Sequence, residues 1–379
     1  MFNFKQKAVN NWLIAIYLTV TCVASIINSF VPIPYVSVLC ALVIFILTLM
    51  NNRCIRIYNQ SLIFYILFLI LLIISVLLNG YAYLSNYFLF FIVFATTSLI
   101  LSCIDFNIEQ TISHILSIYT VYVVVYFLII QHNSDDNEAV AQMGLAYSLV
   151  PGFCVAMSSL IFFKQSFIKK INSYLILLGS SYIILFKTIT RGAIISALFG
   201  VFSLILIKIS PRNRIKVLVL LSIFVILAIF SLNQVLLYII PTEGSSIGVL
   251  NKLFLLSESG DISNGRDILY KNAIEYIKQR PLLGYGIGYY EKFNQIYPHQ
   301  LFLELLCEFG IIGMVLIIFP IIRRGYLIVS KSLNEINPLI VIYLSTLFIS
   351  LMVSNSFWLV PNFWFIYFYK PAMHKLSTI

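Results

Sequence analysis

Apolar residues dominate the chain in runs of 15 to 23, broken by short polar stretches, with neither the two-residue alternation of strands nor the one-sided stripe of surface helices. A transmembrane helix needs about 20 mostly apolar residues. Such runs lie near 11–30, 34–50, 61–79, 86–104, 112–131, 144–163, 171–187, 190–208, 216–233, 299–321, 337–354 and 356–370. They predict an all-α polytopic membrane protein of about twelve spans. A transmembrane β-barrel is excluded, because its strands alternate in hydrophobicity over roughly ten residues. The pattern divides into a bundle over 1–233, a long loop over 234–298, and a second bundle with a tail over 299–379.

Composition agrees with the pattern. Of 379 residues, 61% are hydrophobic and only 10% charged, more apolar surface than a water-soluble core can hide. The net charge of +10 would suggest nucleic acid in a soluble protein, but here its distribution reports orientation. If alternate breaks face the cytoplasm, starting with the N-terminus, then sixteen of the 24 basic residues fall on that side. Lys5, Lys7, Arg53, Arg56, Lys164, Lys208, Arg214, Arg323, Arg324 and Lys331 are among them. Asp105 and Glu109 dissent, although acids weigh little in this rule. Both termini are therefore expected in the cytoplasm and the 234–298 loop outside it. The first run is too long for a signal-peptide core and reads as a retained anchor. The six cysteines show no CxxC pairing and read as small core residues. No metal-ligand spacing, phosphate-binding glycine loop or dinucleotide fingerprint is present, so neither a metal nor a cofactor is expected.

Chemistry is expected on the long loop and at the span ends facing it. Within the loop, ILYKNAIEYIKQ (268–279) carries apolar residues at 268, 269, 273, 274 and 277, an amphipathic helix on the membrane surface or capping the bundle. SNG before Arg266 supplies a start and Pro281 a stop. The following PLLGYGIGYY suits either a tight turn that brings backbone close to a ligand, or a plain turn with interfacial tyrosines.

Three residues combine rarity with position. Arg191, in KTITRGAIISAL, opens a span on the side that the positive-inside rule leaves poor in cations. With Thr188 and Thr190 at a helix N-terminus it can form an anion site, or it can snorkel as an anchor. Arg266 begins the loop helix and offers a second guanidinium beside helical N–H groups, or an ordinary solvated arginine. His299 sits at the mouth of span ten, where the helix dipole disfavours the imidazolium and leaves a ring able to accept a proton, although a boundary histidine can also be merely interfacial. His114, His132 and His374 have no comparable setting.

From His299 the chain reads H-Q, nine residues, Gly310, two residues, Gly313. With the TRG at Arg191 and the GR…RPLLGYG run from Gly265 to Gly286, this resembles the O-antigen polymerase and O-antigen ligase superfamily of bacterial inner-membrane glycosyltransferases. The motifs cover about a fifth of the chain, and the topology fits throughout. The resemblance implies a GT-C-like helical bundle in the inner membrane and a metal-independent, inverting glycosyl transfer at the periplasmic face. The donor would be a glycan on undecaprenyl pyrophosphate and the acceptor a repeat unit. Membrane lipids would surround the protein and a chain-length regulator could attend it, with no nucleic acid involved. Arg191 and Arg266 would hold the pyrophosphate, and His299 would take the acceptor proton. Arg280, Tyr285 and Tyr289 are further substrate-binding candidates, the tyrosines for sugar stacking. Glu308 would orient or pair, supported by Gly310 and Gly313. The polymerase pattern of an arginine followed by a glycine at a longer fixed spacing in paired loops is not cleanly present. Short length and richness in Ile, Phe, Tyr and Asn favour polymerase, and ligase stays open. A lipid-linked oligosaccharide flippase or a passive scaffold are the rivals; a transporter would carry paired repeats and midplane charges, whereas here the notable charges collect at one rim.

Overall fold

The computed structural model describes residues 2–79, 85–130, 139–188, 190–218, 265–331 and 336–369. Among these residues every regular element is helical. The helices are α1 (Phe2–Leu18), α2 (Val20–Phe30), α3 (Val36–Asn51), α4 (Asn59–Asn79), α5 (Ser85–Phe90), α6 (Thr96–Leu101), α7 (Ile108–Val125), α8 (Ala139–Phe162), α9 (Phe167–Tyr182), α10 (Arg191–Lys208), α11 (Arg266–Gln279), α12 (Tyr289–Asn294), α13 (Leu301–Ser330), α14 (Pro338–Val353) and α15 (Pro361–Phe368). Wider π turns join α5 to α6 and extend α7 and α9.

Among the described residues, five helices are long and apolar enough to cross a bilayer: Asn59–Leu77, Ile108–Ile129, Met143–Phe162, Arg191–Lys208 and Leu301–Ser330. Lys5–Leu18 and Val20–Phe30, bent by 73°, make a sixth if counted as one broken span. The surface of these helices is oily, as a lipid-facing surface must be: Leu77 is 80% exposed, Leu128 68% and Leu198 66%.

The described helices do not reproduce the expected count of about twelve spans. Apolar runs at α3 and α14 fold as helices of 16 residues, about 24 Å of rise against a hydrocarbon core of about 30 Å. The run at 356–370 breaks at Pro361 into a 3₁₀ turn and the eight-residue α15, about 12 Å long and too short to cross. A helix apolar all round belongs inside a protein as readily as in lipid, and every residue of α15 is buried. Its Trp364 and Tyr367 pack edge-on to Phe68 of α4. The run at 216–233 and the expected boundary at 233/234 lie outside the described residues beyond 218.

A large apolar core gathers residues from Leu13 to Tyr369, with α10 along α14 and α8 against α9 and α10. A small separate cluster of Ala273, Tyr290 and Cys307 seats α11 on α13. Arg214, one of the basic residues that the charge pattern groups on one side, is a buried cation. It is 1% exposed and donates to the carbonyls of Leu206, Ile207 and Ile209 and of Ile328 and Lys331. It thus caps the C-termini of α10 and α13 together, where unpaired carbonyls and the negative dipole end favour a cation.

Candidate functional site

Arg191 is the first residue of α10, Arg266 the first of α11, and His299 stands two residues before α13. The N-termini of α10 and α13 lie together at the end of α14, where Val353 faces Gly192 and the Ser354 carbonyl bonds His299, each bringing its positive dipole end. Arg266 is the link: its charge acts on Arg191, on His299, and on Tyr147 and Tyr297 between them. All three are partly exposed, so a ligand can reach them. Residues distant in sequence by 75 and 33 positions thus share one electrostatic neighbourhood.

Local geometry explains the small residues beside them. A Cβ on Gly192 would stand 2.0 Å from the Tyr147 hydroxyl, so the glycine after Arg191 lets α8 and α10 close together. Gly265 takes a left-handed conformation (φ 76°) at the cap of α11. Gln300 caps α13 by accepting from the Leu303 N–H at 2.6 Å.

His299 has its Nδ1 2.7 Å from the Ser354 carbonyl oxygen. A carbonyl only accepts, so Nδ1 carries the proton and the neutral ring presents Nε2 as its acceptor. The Tyr297 hydroxyl donates to the same carbonyl at 2.8 Å, and the two rings lie 4.3 Å apart. His299 is held in the left-handed region (φ 56°), a backbone conformation few side chains adopt. Burial pushes its imidazolium below the ordinary histidine range; the Ser354 hydrogen bond opposes this and the Arg266 charge adds to it. Burial likewise pushes the Tyr297 hydroxyl up to about 12.

The glycine-spaced run approaches protein, not ligand. Gly310 breaks α13 with φ 63° and ψ −166°, and residues 281–286 dock in the break. Tyr285 N–H donates to Cys307 at 2.7 Å, Gly286 N–H to Glu308 at 2.9 Å, and Ile311 N–H returns to Pro281 at 2.8 Å. A Cβ on Gly284 would stand 2.7 Å from the Glu308 carbonyl. Gly313 is equally crowded, against its neighbour Phe309. The loop is anchored further by the Ile287 N–H on Ser75 Oγ at 2.8 Å.

The secondary candidates divide. Tyr285 is 9% exposed and stacks on Tyr289 at 4.3 Å, with the Arg280 guanidinium 4.6 Å from its ring centre. The structure thus places the Tyr285 ring, expected to stack on a sugar, against Tyr289 and Arg280. Tyr289 and Arg280 retain exposed surface. Thr188 is fully buried with its hydroxyl donating to Ile184 at 3.0 Å, which withdraws it from an anion site. Thr190 caps α10 in extended backbone without a side-chain cap bond. The amphipathic stripe of α11 is split: Ala273 is buried against Cys307 of α13, while Ile268 is 63% exposed.

Glu308 has company that spacing alone did not suggest. Carboxylate oxygens of Glu291, Glu304 and Glu308 lie within 4.8 Å of one another, a spacing at which they could share protons or hold a divalent cation. Glu308 accepts from Trp358 Nε1 at 3.0 Å, and Glu291 from the Tyr87 hydroxyl at 3.1 Å. Glu304 accepts from Ser356, while its Oε2 and that of Glu291 have no hydrogen-bond partner among the described residues. Burial pushes the Glu291 carboxyl above the usual range. The i, i+4 spacing of Glu304 and Glu308 was a visible signal; Glu291 gave none.

These features define the class: an all-helical membrane protein with a cationic, histidine-bearing site where the N-termini of α10 and α13 lie together. Residues 174–318 match the family model described as O-antigen ligase, a segment that contains Arg191, Arg266, His299, Gly310 and Gly313. Over this segment, which is less than half of the chain, the protein is similar to the O-antigen ligase family. A search for similar curated proteins finds no match.

Proposed function

We propose that the protein is a polysaccharide polymerase of the inner membrane, transferring a glycan from undecaprenyl pyrophosphate to an acceptor repeat unit at the periplasmic face. The observation that carries this reading is the His299–Ser354 hydrogen bond beside the Arg266 charge. The acceptor hydroxyl attacks the anomeric carbon and its proton passes to Nε2 of His299. As the new C–O bond forms, the bond to the pyrophosphate breaks on the opposite face, which inverts the anomeric centre. The leaving electron pair goes to the pyrophosphate oxygen, whose charge Arg191 and Arg266 stabilise. No protein-bound metal takes part in this sequence. Both termini lie in the cytoplasm, and the bundle is GT-C-like.

A second reading, transfer of the finished polymer to lipid A-core, is favoured by the description of the matched family. Deletion followed by a gel of surface lipopolysaccharide tests both. Core bearing a single repeat marks a polymerase; bare core with accumulated lipid-linked polymer marks a ligase. Repeats trapped on the cytoplasmic face would overturn both in favour of a flippase.

A further inference from the structure

At the end of α13 remote from His299, a cavity of about 700 Å³ lies between three separated segments: residues 56–64 leading into α4, the last third of α13, and Phe368 with Tyr369 after α15. Its lining includes four cations, Arg56, Arg323, Arg324 and Lys331, and, among the described residues, no carboxylate. Asp105 is felt at Tyr58 on the rim, where Arg56 opposes it. A merely solvated basic rim would spread its charges over separate faces. Here they surround one volume, an arrangement that like-charge repulsion disfavours unless an anion enters.

Arg324 cannot swing away to relieve that repulsion. It is 8% exposed, with Nε on the Tyr369 carbonyl at 3.1 Å and Nη1 on the Pro320 carbonyl at 2.7 Å. The remaining wall is partly apolar, with Phe64 and Leu327 on two sides. Beyond the Gly310 break α13 runs on toward Arg324 with an exposed apolar flank, Phe319 at 56% and Ile322 at 64%, that gives way to the cations of the cavity. An apolar flank ending in cations suits the boundary where acyl chains meet charged headgroups. Guanidinium forks match phosphate oxygens in pairs.

We infer that this cavity is a binding site for a phosphate group, presented there by an anionic phospholipid headgroup whose first acyl carbons lie against Phe64 and Leu327. The inference stands apart from the glycosyl-transfer reading, since it uses none of the residues at the other end of α13.

The test uses the full-length protein, delipidated in detergent, with binding followed by native mass spectrometry and thermal shift. Phosphatidylglycerol should bind and raise the melting temperature, and phosphatidylcholine should do neither. Arg56→Gln with Arg323→Gln should weaken phosphatidylglycerol binding by roughly tenfold or more. Both positions are exposed, so the fold should survive, and Lys331→Gln gives an independent reading if it does not. Inorganic pyrophosphate distinguishes the source: a shift equal to that of the lipid keeps the phosphate site but overturns the headgroup assignment. Equal binding of anionic and neutral lipid, or undiminished phosphatidylglycerol binding in the variants, would overturn the site itself.

Discussion

Gly310 lies directly against the backbone of Leu282, so closely that a Cβ at residue 310 would stand 2.3 Å from the Leu282 carbonyl. The break in α13 releases carbonyls and N–H groups that a continuous helix would have paired internally, and buried backbone groups must find partners. The loop from Pro281 to Gly286 supplies them. Two sequence landmarks, the glycine after the histidine and the RPLLGYG run, are thus the two halves of one joint.

That joint predicts the cost of filling it. Gly310→Ala meets both a left-handed backbone and a backbone clash, and should destabilise by about 2 kcal/mol or more. Limited proteolysis should show earlier cleavage between residues 281 and 299 than in the wild type. Gly325→Ala, where a Cβ meets nothing within 4 Å, is the control that should change neither.

His299→Ala should lower polymer formation by about 10²–10⁴-fold if the ring is the general base. Arg191→Gln and Arg266→Gln should each cost about 10²–10³-fold through lost stabilisation of the departing pyrophosphate. Ladder length on a lipopolysaccharide gel, with membrane insertion checked by immunoblot, measures both. Wild-type ladders in all three variants would refute the assignment.

The pH profile has a definite sign. In the proposed mechanism the neutral ring is the active form, and burial with the Arg266 charge lowers the His299 pKa below the ordinary 6.5. Activity should therefore hold as pH falls through 6.5 and fail only below it. Arg266→Gln removes one lowering influence, so residual activity in that variant should fail at a higher pH. An acid limb unmoved by the substitution would show that the two groups are uncoupled.

Glu291 makes a stability prediction. Its folded-state pKa is raised by burial, so the stabilisation that it contributes is complete at pH below the unfolded carboxylate value, about 4.3. It is lost as pH rises through the folded value. Glu291→Gln should flatten the decline in melting temperature above that pH, as followed by tryptophan fluorescence in detergent.

Arg214 should be the least replaceable cation outside the site. Arg214→Met leaves carbonyls at two helix ends without their donor and should cost about 2–4 kcal/mol. Neighbouring Arg212→Met, at an exposed position, should be nearly silent in the same thermal scan.

Hydropathy located the long apolar helices and the membrane class, because hydrocarbon imposes an apolar residue at nearly every position over a fixed length. Rarity located Arg191 and position located His299, since a cation or histidine at a span margin stands out against that background. The 356–370 run was beyond such reading: a helix apolar all round is equally suited to lipid and to a protein core, and α15 is distinguished only by its eight residues and the aromatic shell around it. The partners of these residues were equally hidden. The Ser354 carbonyl that sets the tautomer of His299 is a backbone atom 55 positions away, and backbone atoms leave no trace in residue type. Glu291 joins Glu304 and Glu308, and Arg214 caps two helices, for the same reason. Composition and period report what each segment can bury, whereas which groups satisfy one another across distant segments is decided by tertiary packing alone.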